Sequence, residues 1–129
     1  MDYKELIRNV RARPILYGLD ESYGSLQSFF LGCDVGSRGE FLLGFREWLI
    51  VKTDGGNNLS WPGLVQRVRA SAGESSGYRE LSDTDALLAL IDEFLEIRQQ
   101  DDGHLKIFAR YADWLREQAW FRAEMLDLA

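Results

Sequence analysis

The chain has 129 residues, 46% of them hydrophobic and 12% aromatic, four tryptophans, and a formal charge of −6 at neutral pH. That is enough apolar material for one packed domain over 1–129 and too much for a disordered chain. A pI near 4.8 argues against nucleic acid as the direct ligand, because phosphate binding needs clustered Lys and Arg.

The first helix is predicted over 2–12, where Tyr3, Leu6, Ile7 and Val10 recur at helical spacing. Lys4, Arg8 and Arg11 form a basic stripe on another side of it. Pro14 disfavours helical geometry at Arg13 and ends the helix, leaving Arg13 to Gly18 as a tight connector. A second helix is predicted over 22–34, with Ser22 or Ser25 as N-cap and Leu26, Phe29, Phe30 and Cys33 on its apolar side.

Residues 38–53 fit either a helix or, at Trp48 to Val51, a buried strand. Phe41, Phe45, Trp48 and Leu49 follow the i, i+4, i+7, i+8 pattern, which favours helix. Asp54 to Asn58 is a run of turn formers. Ser60 can then cap a helix that tolerates Pro62 in its first turn and turns Leu64, Val65 and Val68 inward. Ala72 to Tyr78 reads as a small, polar linker.

The fifth helix begins at Ser82, with Asp83 and Asp85 well placed against its dipole and Leu87, Leu90, Ile91, Phe94 and Ile97 buried. A final helix is predicted over 104–125 with a wide apolar arc. Phe108, Leu115 and Ala119 mark one edge of the arc, and Ile107, Trp114 and Phe121 the other. Trp120 lies off both edges and is either an exposed interface anchor or part of a central, largely buried helix. The sum is an all-α bundle of five or six helices.

No catalytic constellation emerges. His104 is the lone histidine, expected exposed or capping, and Cys33, the lone cysteine, reads as a small core hydrophobe. The carboxylates lack the spacing of a calcium loop, the glycines at 55 and 56 lack a following Lys-Ser/Thr, and neither metal nor cofactor is expected. No segment is long and apolar enough to span a bilayer, and the N-terminus has no signal-peptide pattern. The expected address is therefore cytoplasmic.

Charge is the uneven feature. Between Glu80 and Asp102 stand eight acidic residues and one basic residue, Arg98, whereas residues 1–70 are close to neutral. At 100° per residue Asp85, Asp92 and Glu96 fall within about 40° of one another on the side of the fifth helix opposite its apolar face. Such a stripe is either an ordinary solvated face or a docking surface that steers a basic partner. On the second reading Asp85, Asp92, Glu93 and Glu96 supply the field, and Asp101, Asp102 and Trp120 are rim or anchor contacts.

Arg13-Pro14-Ile15-Leu16-Tyr17-Gly18, followed by Ser25-Leu26, Phe29 to Gly32, Phe45, Trp48, Leu49 and Trp61, resembles a pattern in small bacterial proteins. They carry an Arg-Pro-x-Met-Tyr-x-Gly turn, a Leu/Phe-rich helix and two later tryptophans, and some look like immunity proteins of polymorphic or contact-dependent toxin systems. The resemblance spans about residues 8–65, with Leu16 in place of the methionine and Gly18 directly after Tyr17. It implies a non-catalytic inhibitor that binds a cognate toxin, often a basic nuclease, inside the producing cell. The alternative is a structural or regulatory module that forms a homodimer through its last helix.

Overall fold

The computed structural model describes residues 1–71 and 77–128. Its regular elements are helical: α1 (Tyr3–Ala12), a 3-10 turn (Pro14–Tyr17), α2 (Tyr23–Gly36), α3 (Phe45–Thr53), α4 (Trp61–Ala70), α5 (Asp83–Arg98), α6 (Gly103–Glu117) and α7 (Ala119–Leu128). No strand occurs among the described residues, so the helical alternative is the one adopted at Phe45–Thr53.

The caps follow from local chemistry. Asp2, Ser22 and Ser82 each accept a hydrogen bond from the backbone N–H three residues on, at 3.1 Å, which satisfies one donor that the first helical turn leaves open. After α1, Pro14 opens the 3-10 turn, and Gly18 closes it at φ 73°, in the left-handed region. Tyr17 then meets Phe29 of α2 edge-on at 5.7 Å.

The α5 helix is the hub, packing against α1, α2, α3, α4 and α6. Its Phe94 lies 5.1 Å from the ring of Phe45, which also meets Trp61 at 5.8 Å, so α3, α4 and α5 share one aromatic centre. Phe30 of α2 and Phe41 extend that core toward α1, and both are completely buried. Cys33 is partly buried against the same core, and burial pushes its thiol pKa up, as expected of a small hydrophobe.

Two predicted boundaries are corrected. The stretch 38–44 is a series of tight turns rather than the start of α3, because Arg38, Gly39 and Gly44 all take positive φ. Side chains hold it in place: Ser37 Oγ accepts from Phe41 N–H and Asp34 Oδ1 accepts from Leu42 N–H, each at 2.9 Å. The long last helix is two helices, because Gln118 is extended at ψ 126° and breaks it. That break yields seven α-helices among the described residues, where five or six are expected. The predicted linker over 72–78 lies outside the described residues at 72–76.

Arg98, at the end of α5, is the one charged side chain buried among the described residues, at 8% exposure. Its Nη1 donates to the carbonyls of Glu40 (3.1 Å) and Leu43 (3.0 Å). The guanidinium lies 4.9 Å from the Phe94 ring and 5.8 Å from the Tyr3 ring. Burial pulls its pKa down, the cost that these carbonyls and rings offset. Next to it Gly103 sits so close to α5 that a Cβ would stand 2.3 Å from the Arg98 carbonyl oxygen.

Arg98→Met keeps most of the volume but leaves the Leu43 carbonyl without a donor and the Glu40 carbonyl with only the 3.3 Å bond from the Leu43 N–H. It is expected to lower stability by about 3 kcal/mol, read as an earlier urea midpoint at unchanged slope. Gly103→Ala forces backbone against backbone and is expected to cost at least as much, about 3 kcal/mol. A midpoint within error of the parent chain for either variant contradicts this account of the α5–α6 corner.

Candidate functional site

The acidic stripe and the basic stripe read from the sequence turn out to be neighbours. Packing of α1 on α5 brings Lys4 Nζ to 3.0 Å from Asp92 Oδ1 and 2.8 Å from Glu96 Oε2. Farther along, Asp85 shares a small cleft of about 150 Å³ with Arg11 and Glu21. Lys4 is the member of the basic stripe that pairs with the acidic stripe among the described residues. The hydrogen bond to Glu96 raises the Lys4 pKa, burial opposes it in part, and Asp92 adds to the rise.

Three of the carboxylates assigned to the acidic field are paired within the chain while keeping part of their surface accessible. Asp92 and Glu96 share the Lys4 ammonium, leaving one net negative charge in that trio. Glu93 faces α3, where Oε1 pairs with Lys52 Nζ at 3.2 Å and Oε2 accepts from the Tyr78 hydroxyl. The physical reason is geometric: Glu93 is one residue, or 100°, away from Asp92 around the helix. Asp83, in the first turn, pairs with Arg69 of α4.

What stays outward is a smaller acidic set. Asp85 is exposed, its backbone N–H taken by the Ser82 cap. Asp101 and Asp102 are exposed in the turn before α6, and Asp102 takes the left-handed conformation at φ 58°. Glu96 keeps 63% of its side chain accessible despite Lys4.

At the other end of the chain, Trp120 is 41% exposed rather than buried in a central helix. It packs edge-on against Trp114 (6.4 Å) and Phe121 (6.0 Å). The buried edge of α6 is the one carrying Ile107 and Trp114, and Trp114 Nε1 donates to Asp54 Oδ1 at 2.7 Å. That bond ties α6 to the turn after α3. The α7 helix packs against α6 and presents Met125 and Leu126, 51% and 76% exposed, to solvent. These side chains, with Phe121, line an open groove rimmed by Arg116 and Arg122.

A separate cleft of about 460 Å³ opens between α3, α5 and α6, with Trp48, Lys52, Glu93, Lys106 and Arg110 on its walls. Sequence reading misses it, because its residues come from three helices and are brought together by packing alone. The one local signal is the i, i+4 spacing of Lys106 and Arg110.

His104 is exposed at the start of α6, and no cluster of three or more His, Cys, Asp or Glu able to hold a metal ion occurs among the described residues. No helix among them is long and apolar enough to cross a membrane. In comparisons with known proteins, no family model, curated protein or solved structure matches the chain.

The ion pairs set a sign for the alkaline pH dependence. Lys4 is raised above 10.5 by its carboxylate partners, and Tyr78 above 10.0 by burial and then by Glu93. In both cases the folded chain holds a proton that the unfolded chain releases first. Their contribution is therefore complete below about pH 9 and is lost as pH rises past about 10. Urea unfolding followed from pH 8 to about 11.5 is expected to show this decline, shallower in Tyr78→Phe. Equal slopes for parent and variant contradict the Tyr78–Glu93 assignment.

Proposed function

We propose that this chain is a non-catalytic protein-binding module, and within that class an immunity protein that neutralises a cognate bacterial toxin with a basic surface in the cytoplasm of the producing cell. The observation that carries the reading is the set of exposed apolar side chains on α7, with Met125 and Leu126 beside Phe121 along one groove and Trp120 exposed on another side of the helix. Apolar side chains gathered in this way mark interaction surfaces, and tryptophan is a favoured anchor.

Charge contributes steering. Asp85, Asp101, Asp102 and the accessible carboxylate of Glu96 give a negative surface whose role is to raise the rate of encounter with a basic partner. Asp92 and Glu93 serve the chain's own packing in this scheme, with Asp92 adding a fraction of the field past Lys4. Ordinary ionised carboxylates suffice for this work, which is why an inhibitor needs none of the pKa tuning that acid-base catalysis demands.

The same exposed face supports one other reading, self-association through α7, since a second copy would cover Trp120 and Leu126 equally well. Sedimentation separates the two. A monomer is expected, and a tight dimer that Trp120→Ala dissolves supports the rival.

The direct test takes the C-terminal domain of a large secreted protein encoded next to this chain, the cognate toxin that the proposal requires, and titrates the purified chain against it. A one-to-one complex whose association slows with added salt is expected. Trp120→Ala weakens it by about 2 kcal/mol, mainly through faster dissociation. Lys4→Gln, which uncovers Asp92 and Glu96, speeds association instead. Absence of a complex with that domain, or a Lys4→Gln variant that associates more slowly, contradicts the proposal.

A further inference from the structure

We propose that the cleft between α3, α5 and α6 is a binding site for a small organic anion with a compact apolar body, a site separate from the protein-binding face. Its volume, about 460 Å³, falls within the range of small-ligand pockets. The walls divide by chemistry: Val51, Ile97 and the accessible edge of Trp48 supply apolar surface over the buried Ile107, while Lys106, Arg110 and Gln100 supply donors.

The charge count inside the cleft decides the sign of the ligand. Glu93 has both oxygens occupied, one by Lys52 and the other by the Tyr78 hydroxyl. Lys52 is held in turn over the rings of Trp48 (5.1 Å) and Tyr78 (5.3 Å). This pair is closed and neutral. Lys106 and Arg110, one helical turn apart on α6, both line the cleft and make no ion pair with a carboxylate among the described residues.

The cleft therefore holds an excess of two positive charges on a protein whose total charge is −6. Cations beside a low-dielectric apolar wall focus the field into the cavity, whereas the same cations on a convex helix face are screened. The arginine fork adds the geometry for a planar oxyanion, a carboxylate or sulfonate, and Lys106 adds a point charge beside it. The ligand class follows from these parts: one anionic head for α6 and an apolar body for Val51, Ile97 and the edge of Trp48.

The test uses the full chain, labelled with nitrogen-15, and 2-naphthoate as probe. A saturable shift of the Trp48 indole N–H is expected. The neutral analogue 2-naphthamide should bind at least about tenfold more weakly, as should 2-naphthoate to the Lys106→Gln/Arg110→Gln variant. Both replaced side chains are exposed, and a thermal melt checks that the fold survives. A measurement on the unaltered chain stands beside the variant: raising salt from about 50 mM to about 500 mM should weaken naphthoate and spare naphthamide. The proposal is overturned by equal affinity for the two probes, by shifts centred on the Trp120 indole, or by no saturable shift at Trp48.

Discussion

A single guanidinium holds the architecture to one arrangement. Arg98 enters the core from the last turn of α5 and donates to the carbonyls of Glu40 and Leu43, more than fifty residues earlier in the chain. Those carbonyls belong to a run of turns with three positive φ values, a conformation with no helical ladder to satisfy its polar groups. Without the arginine the Leu43 carbonyl would lose its donor and the Glu40 carbonyl would keep only the Leu43 N–H, and a buried unpaired acceptor costs about 1–3 kcal/mol. The turn fixes Gly44 against Ile107 of α6, so the same contact seats α6 and, through it, α7.

The electrostatics of α5 follow the same pattern of internal settlement. Its carboxylates point to three different neighbours, Lys4 on α1, Lys52 on α3 and Arg69 on α4, and each pair ties the hub to one more helix. Exposed pairs of this kind are each worth at most about 1 kcal/mol. Their larger effect is to decide which surfaces stay charged. On α5 and the turn after it the accessible carboxylates are Asp85, Glu96, Asp101 and Asp102, while Lys106 and Arg110, which make no ion pair among the described residues, stand across a cleft from Trp48. A protein with a net charge of −6 thus carries local surfaces of opposite sign.

Much of the fold was legible in the sequence because the signals were local. The caps at Ser22 and Ser82, the stop at Pro14, the turn at Asp54 to Asn58 and the buried side of α5 all follow from residues within a turn or two of one another. The 38–44 turns were not legible, since Phe41 keeps helical spacing with Phe45 while the conformation is set by Asp34, Ser37 and the distant Arg98. Nor was the break at Gln118, where no Pro or Gly marks the chain. The candidate site was half legible. Each stripe was visible on its own helix, yet their pairing depends on the register of α1 against α5, and Glu93 differs from its neighbours only in which helix it meets. Trp120 stood out for the opposite reason, because it lay off both edges of the predicted helix's apolar arc.

The central claim is that the chain acts by offering the α6–α7 face to another protein, with its fold already complete. Hydrogen–deuterium exchange on the chain, alone and mixed with the toxin domain that the proposal requires, reads this segment by segment. Added protection concentrated in residues 103–128, with α1 to α4 unchanged, is the predicted result. Protection confined to residues 1–22, or no change anywhere in the chain, would contradict it.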